Sequence, residues 1–179
     1  MADTNEALKE LVANAALTIK KGVPLKAAKG ISDEELNAVY SLAYSYYSTG
    51  RYDEALKLFK FLVMFDHMCQ KFRIGLGSTH QMLKQYDEAI AAYAQAAIFD
   101  LDNPKPMYYA ALCHYAKGDK VKAASAVRAI EMFCTKKDAK TAPFFEKAAA
   151  LRAALGDEPF AELKKLDAEA EAKKSASVA

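Results

Sequence analysis

The chain has 179 residues, the size of one ordinary domain with a continuous core. Its hydrophobic content is 53%, with only five prolines and seven glycines, so the composition favours a packed and mostly helical protein. The formal net charge is +2 and the basic residues are spread along the chain, which argues against nucleic-acid binding. We expect neither a transmembrane helix nor a secretory signal, because no run of 18 apolar residues exists and the first ten residues are polar and acidic.

The first predicted helix runs from about Asn5 to Lys20, and its apolar residues recur at the helical period of 3.6. The members of this stripe are Leu8, Leu11, Val12, Ala15 and Ile19. A stripe of this width is rarely left in water. We expect it either to dock on the rest of the chain or to pair with a second copy, and we favour a weak homodimer.

A connector separates this helix from the next one, and the two together form the first predicted segment, residues 1–31. Residues 22–24, Gly-Val-Pro, end the first helix, and Leu25 and Ala28 are expected docking contacts of the connector. Ser32 then begins a helix, because Glu35 three residues later completes a capping box.

Three segments superimpose at a fixed offset of 34 residues, most clearly in the strings GRYDEALKLF from Gly50 and KQYDEAIAAY from Lys84. A unit of this length with two antiparallel helices cannot bury its own apolar face, so such units stack into a solenoid. The predicted repeats span residues 36–69, 70–103 and 104–137, within a repeat region of 32–137. In the first repeat, Leu42 and Ala43 are expected on the face that packs against neighbouring helices.

The last part of the chain is predicted to cap the solenoid over residues 138–172. One helix covers Ala142 to Leu155 and ends at Gly156, and another begins at Pro159. Solenoids need such a cap to remain soluble. Residues 173–179 are expected to be a disordered tail.

The repeats resemble tetratricopeptide repeats, and a narrower resemblance runs from about Gly22 to Asp119. The strings that carry it are GVPLKAAKGISDEELNAVY, YSLAYSYYSTGRYDEALKLFKFLVMFDH, FRIGLGSTHQMLKQYDEAIAAYAQAAIFDLDNP and PMYYAALCHYAKGD. They are similar to the class II chaperones of bacterial type III secretion systems, cytoplasmic proteins that escort hydrophobic translocators. The resemblance implies an all-α solenoid of three tetratricopeptide repeats, with an N-terminal amphipathic helix and C-terminal capping helices. It also implies virulence-related export, with the stripe on the first helix contacting a second copy or the client.

The resemblance further implies a concave groove that binds an extended segment from the translocator's N-terminal region. The residues at the groove positions are Tyr40, Tyr44, Tyr47, Ile74, Ser78, Gln81, Tyr108, Leu112 and Tyr115. Tyrosine suits a peptide that carries prolines and leucines, since it offers a broad apolar ring and a hydroxyl for backbone groups. The alternative is that these rings are covered by the first helix or by a homodimer partner.

No catalytic, metal or cofactor site is predicted. His80 and His114 occupy equivalent repeat positions that pack against neighbours, and the pair of His67 and Cys69 is too sparse for zinc. The odd count of three cysteines indicates reduced thiols in a cytoplasmic protein. No nucleophile stands beside a candidate base, so the chain is not expected to be an enzyme.

Two other binding functions are open to a protein with such repeats. An adaptor that clamps a partner's C-terminal carboxylate resembles this chain poorly, because Tyr40, Tyr44 and Gly75 stand at three of the clamp positions and Tyr109 replaces an arginine beside Lys105. A regulatory protein that partners a transcription activator of secretion genes would use the same repeats, and the sequence does not separate it from the chaperone.

Overall fold

The computed structural model describes residues 24–134, 138–139 and 141–176, and within these ranges all regular structure is helical. The predicted first helix, with Leu8, Leu11, Val12 and Ile19, lies outside the described residues. The helices are α1 Leu25–Lys29, α2 Asp33–Ser48, α3 Tyr52–Phe65, α4 Gln70–Met82, α5 Tyr86–Phe99, α6 Lys105–Ala116, α7 Lys120–Phe133, α8 Ala142–Leu155 and α9 Glu158–Ala176. None of these described helices is both long and apolar enough to cross a membrane.

The chain divides into two compact units, Met1–Leu83 and Lys84–Ala179. In the described residues the first unit contains α1 to α4 and the second contains α5 to α9. The boundary falls in the turn between the two helices of the second predicted repeat.

The first unit is built around α2, α3 and α4. Its buried core consists of Leu36, Ala43, Ala55, Phe59, Leu62 and Phe72. The predicted capping box at the start of α2 is confirmed, since the Ser32 hydroxyl accepts a bond of 3.2 Å from the Glu35 amide. The Glu35 carboxylate in turn accepts one of 2.8 Å from the Ser32 amide.

The connector before α2 forms a short helix, α1, where the sequence predicted only a connecting stretch. Leu25 is buried as expected, but Ala28 is exposed, so only the first of the two expected docking contacts is buried. The Lys26 ammonium lies 2.6 Å from a carboxylate oxygen of Asp33 and 2.6 Å from one of Asp66. Hydrogen bonds to these carboxylates, first to Asp33 and then to Asp66, raise the pKa of Lys26. Lys26 thus ties α1 to the end of α3.

The second unit packs α6, α7 and α8 around one core, and α9 lies against α7. The buried residues of this core are Ala111, Ala123, Ala124, Val127, Ile130, Cys134, Ala148, Leu151, Leu155 and Phe160. Two ion pairs support it, Arg128 with Asp167 at 2.5 Å and Arg152 with Glu131 at 2.9 Å.

The bounds of the first C-terminal helix agree with the prediction, whereas the second helix extends further than predicted. Helix α8 covers Ala142–Leu155 and is followed by Gly156 with a φ of 74°. Helix α9 continues to Ala176, four residues into the segment predicted as a disordered tail. Alanine and lysine have high helix propensity, which explains this extension.

One set of residues that superimpose at the 34-residue offset is buried in the same way. The equivalent alanines Ala55, Ala89 and Ala123 have no exposed surface. Leu42, predicted on the packing face, is 48% exposed. Helix α2 opens the first predicted repeat, so no earlier repeat is available to cover Leu42.

The turn between the two helices of each predicted repeat contains one residue with left-handed backbone. The φ angles are 78° at Gly50, 59° at Lys84 and 81° at Gly118. Side chains other than glycine adopt this conformation at a cost of about 1–2 kcal/mol. The first and third repeats have glycine at this position, so the backbone is strained only at Lys84 among these three turns.

Replacing this lysine with glycine is expected to stabilise the protein. Lys84→Gly removes the backbone strain, but glycine loses more conformational entropy on folding, which cancels part of this gain. The free energy of unfolding should therefore rise by about 0.5–1 kcal/mol. Urea denaturation of the full chain measures it. The matched control is Gly118→Lys, for which we expect a loss; equal effects of the two substitutions would contradict the backbone explanation.

Gly75 marks the closest approach between α3 and α4. A Cβ atom built on this glycine would lie 2.2 Å from an atom of the Phe59 ring, which is 1% exposed. The ring has no space to move away in a packed core. Hence α4 can lie against α3 at this point only with glycine at position 75.

We expect Gly75→Ala to destabilise the first unit by about 1–3 kcal/mol, because the added methyl group overpacks the core. Urea denaturation followed by circular dichroism measures the loss. The double variant Gly75→Ala with Phe59→Leu makes room for the methyl group and should cost less than the sum of the two single changes. Strict additivity would show that the contact is not the cause.

Candidate functional site

The first unit presents a row of tyrosine rings along α2 and the start of α3. The ring centroids of Tyr40 and Tyr44 are 6.4 Å apart, as are those of Tyr44 and Tyr47. Tyr47 meets Tyr52 edge-on at 5.6 Å. The spacing i, i+4, i+7 places the first three on one face of the helix. We call these four residues the tyrosine row.

Members of the tyrosine row are buried to different extents. Tyr44 is 56% exposed, whereas Tyr40 and Tyr47 are half-buried against the core of the first unit. The Tyr40 ring lies 5.9 Å from that of Phe59 and 5.8 Å from that of Phe72, and burial raises the pKa of its hydroxyl. Tyr40 therefore packs against the core and is only partly accessible to solvent, whereas more than half of the Tyr44 surface is accessible.

The other predicted site residues of the first unit lie on α4. Ile74, Ser78 and Gln81 are all half-buried and follow the same i, i+4, i+7 spacing. They share one helix face, of which the apolar end is Ile74 and the polar end is Gln81.

The second unit contains the remaining predicted residues, all on α6. Tyr108 and Leu112 are half-buried against the core of this unit, and Tyr115 is 41% exposed. The Tyr108 ring lies 5.8 Å from Tyr109 and 6.0 Å from Phe144 of α8. Burial raises the pKa of the Tyr108 hydroxyl. Both units thus have a core-contacting and an exposed tyrosine on one helix, but the exposed ring is one turn away on α2 and two turns away on α6.

A lysine that the sequence analysis missed lies over the aromatic rings of the first unit. The Lys71 ammonium is 5.1 Å from the ring centroid of Tyr40 and 5.3 Å from that of Phe72. It also donates a hydrogen bond to the side-chain oxygen of Asn37. We call Lys71, Tyr40 and Phe72 the first lysine–aromatic cluster.

The second unit repeats this arrangement. The Lys147 ammonium is 5.8 Å from the ring centroid of Tyr108 and 5.1 Å from that of Phe144. We call these three residues the second lysine–aromatic cluster. In each cluster the phenylalanine lies on the helix of the lysine, whereas the tyrosine comes from another helix, and no sequence signal reveals this second contact.

In this protein, packed aromatic rings lie at two of the positions where an adaptor that clamps a C-terminal carboxylate has polar side chains. The Phe59 ring fills the space beside Gly75, and the Tyr109 ring lies 5.5 Å from that of Tyr93, which is 1% exposed. These contacts leave packed aromatic rings where the clamp has polar side chains, so this geometry disfavours the clamp.

Titratable groups outside the tyrosine positions serve packing. Within the described ranges no group of three or more His, Cys, Asp or Glu side chains is arranged to hold a metal ion. Cys113 is fully buried, and burial raises the pKa of its thiol to about 11. A thiol with so high a pKa is a poor nucleophile at neutral pH.

His114 is the most unusual of these groups. Its Nδ1 atom is buried without a hydrogen-bond partner in the described part of the chain, and it lies 3.9 Å from a carboxylate oxygen of Asp119. Burial lowers the pKa of His114; Asp119 opposes this shift, while Lys122 and Lys117 add to it. The folded protein therefore favours the neutral imidazole.

This lowered pKa predicts a loss of stability on mild acidification. An unfolded histidine, with a pKa near 6.5, takes up its proton before the folded one does, so stability should fall as pH drops from about 7 through the range below 6.5. Urea unfolding across that range measures the slope. In His114→Gln the slope should be shallower, and identical slopes would contradict the assignment.

Two family models described as tetratricopeptide repeat match residues 36–67 and 74–139. Among curated relatives, Low calcium response locus protein H of Yersinia pestis is 37% identical over 107 residues, which cover 60% of this chain. The match spans 64% of the length of that relative.

Solved structures extend the similarity to three dimensions. The type III secretion translocator chaperone SycD of Yersinia enterocolitica matches with a TM-score of 0.68 and 30% identity, covering 73% of this chain and 97% of that chain. SycD in complex with a peptide of the translocator YopD matches with a TM-score of 0.65 and 31% identity, covering 75% and 98%.

Proposed function

We propose that this chain, which belongs to the tetratricopeptide-repeat chaperones of type III secretion translocators, binds an extended N-terminal segment of a hydrophobic translocator. The binding residues are the positions that the repeats predict for the groove, with the tyrosines of α2 as main contacts in the first unit and those of α6 in the second. By holding the client in the bacterial cytoplasm, the chaperone keeps it soluble and competent for export. The exposed Tyr44 ring, set between Tyr40 and Tyr47, is the observation that carries this proposal.

The tyrosine row suits an extended peptide for physical reasons. Each ring contacts a neighbouring ring, and Tyr40 and Tyr47 also pack against the core, so little rotamer freedom is lost when a ligand covers the row. Burying a large apolar side chain contributes roughly 1.5–3 kcal/mol. Two or three such anchors, after ordering costs, correspond to micromolar affinity of about −8 kcal/mol. Binding at that level allows a secretion machine to remove the client.

The related chaperone SycD supports this assignment, since one of its solved structures contains a peptide of the translocator YopD. The same kind of client fits a chain whose described surface offers exposed aromatic rings. We further propose a weak homodimer without client, formed through the predicted stripe of Leu8, Leu11, Val12 and Ile19. Sedimentation at several concentrations, with and without client, tests that dimer.

Removing the two exposed rings tests the proposed binding surface. In Tyr44→Ala with Tyr115→Ala, we expect capture of a co-expressed translocator to weaken by about tenfold or more, because two apolar contacts of about 1 kcal/mol each are lost. Co-purification and fluorescence anisotropy with the protease-protected client fragment measure the effect. These two tyrosines are preferable to Tyr40, which also supports the core.

The matched control is Leu166→Ala, which removes another exposed apolar side chain, 47% exposed, from α9. Its capture should equal that of the unchanged chain, and circular dichroism should show the same helical content for all three proteins. Undiminished capture by the tyrosine variant would place the client elsewhere and refute the proposed surface.

A further inference from the structure

We propose that the predicted first helix of this chain covers the tyrosine row until a client displaces it. The contact is made by the apolar stripe of that helix, which consists of Leu8, Leu11, Val12, Ala15 and Ile19. This inference rests on the proposed function and concerns the regulation of the same binding site. The occupant of the row in the client-free protein is thus a segment of the chain itself.

The described residues begin beside the helix face that carries the tyrosine row. Pro24 is the first of them, and it lines an open cleft of about 500 Å³ together with Asp33 and Asn37 of α2. Asp33 and Asn37 come seven and three residues before Tyr40, so all three share one face of the helix. The segment before Pro24 therefore leaves the first unit at the foot of the tyrosine row.

Helix α1 fixes this point of departure. The Lys26 ammonium lies 2.6 Å from a carboxylate oxygen of Asp33 and 2.6 Å from one of Asp66, and Leu25 is buried. These contacts attach α1 both to the start of α2 and to the end of α3. Because they lie one and two residues after Pro24, the preceding segment starts from a defined position.

The predicted stripe and the tyrosine row have matching lengths. Leu8 and Ile19 are eleven residues apart, which is about 16 Å along a helix. Tyr40 and Tyr47 are seven residues apart on α2, which is about 10 Å. The ring centroid of Tyr52 lies a further 5.6 Å from that of Tyr47. A helix that carries this stripe can therefore cover the row from end to end.

The connection between the stripe and the described chain is short. Five peptide links join Ile19 to Pro24, and they span at most about 16–18 Å. Asp33, at the foot of the row, is already about 21 Å from Tyr47 along α2. In the proposed contact Ile19 therefore lies at the Tyr40 end of the row, and the predicted helix runs antiparallel to α2.

The exposed part of the row suits an apolar helix. Tyr44 is 56% exposed, and its ring centroid lies 6.4 Å from those of Tyr40 and Tyr47, so the three rings form a continuous aromatic surface. The stripe contains only aliphatic side chains, which leave no polar group unsatisfied on such a surface. Client and stripe thus compete for the same rings. The apparent affinity for the client is reduced in proportion to the fraction of chains in which the row is covered.

Docking within one chain also accounts for the weakness of the proposed homodimer. That dimer uses the same stripe, so each copy has to release its helix from the row before it can pair. A short tether holds the stripe at an effective concentration in the millimolar range, which a second copy does not reach in dilute solution. The two arrangements therefore differ in their dependence on protein concentration.

A single tryptophan in the row tests the covering directly, because the chain contains no tryptophan. In the full chain with Tyr44→Trp and without client, we expect acrylamide to quench the indole fluorescence weakly and independently of protein concentration. Adding Leu11→Gln removes an apolar contact of the stripe but keeps helix propensity, so the quenching constant should rise roughly twofold or more. The matched control, Leu17→Gln, makes the same change on the opposite side of the predicted helix and should leave quenching unchanged.

Client affinity is the second measurement, made by fluorescence anisotropy with the protease-protected client fragment. Leu11→Gln in the otherwise unchanged chain should bind this fragment roughly three- to tenfold more tightly, whereas Leu17→Gln should equal the unchanged chain. Circular dichroism should show the same helical content for all three proteins.

Three results overturn the inference and leave the proposed function standing. They are equal quenching with and without Leu11→Gln, weaker client binding by Leu11→Gln, and quenching that falls as protein concentration rises, which assigns the cover to a second copy. The proposed function fails separately if neither the unchanged chain nor Leu11→Gln captures a client, and the quenching experiment still reports whether the row is covered.

Discussion

Close packing of helices at small residues is the constraint on which both units depend. The alanines at equivalent positions, Ala55, Ala89 and Ala123, have no exposed surface, and at Gly75 even a methyl group would meet the Phe59 ring. Larger side chains there would push the helices apart and open the core. Large rings such as Phe59 and Tyr93 fill the space between these small residues and are fully buried, whereas tyrosines on α2 and α6 reach the surface.

Two tyrosines combine a core contact with partial exposure. Tyr40 and Tyr108 contact the cores of their own units; the exposed Tyr44 ring lies beside Tyr40, and the exposed Tyr115 lies two turns further along the helix of Tyr108. A surface tied to the core in this way is rigid before a ligand arrives, so less entropy is lost on binding.

Several features followed directly from sequence patterns, and the exceptions have local causes. The capping box at Ser32 and the bounds of α8 depend on residues only a few positions apart, so they were readable in advance. The sequence does not reveal the short helix α1, because this helix is held by the distant Asp66. The polar composition of the last residues predicts disorder, but their helix propensity extends α9 to Ala176. Leu42 was assigned to a packed face that the first repeat has no earlier neighbour to cover.

The sequence alone determined the helical class, the 34-residue period and the family, because these depend on residue spacing that repeats along the chain. It also supplied the tyrosines on α2 and α6, since helical periodicity places them on one face. Tertiary structure decided which rings are open and which support the core, and it brought Lys71 and Lys147 over them. The physical reason is that burial and ring contacts are set between helices, by packing distances that no local pattern encodes.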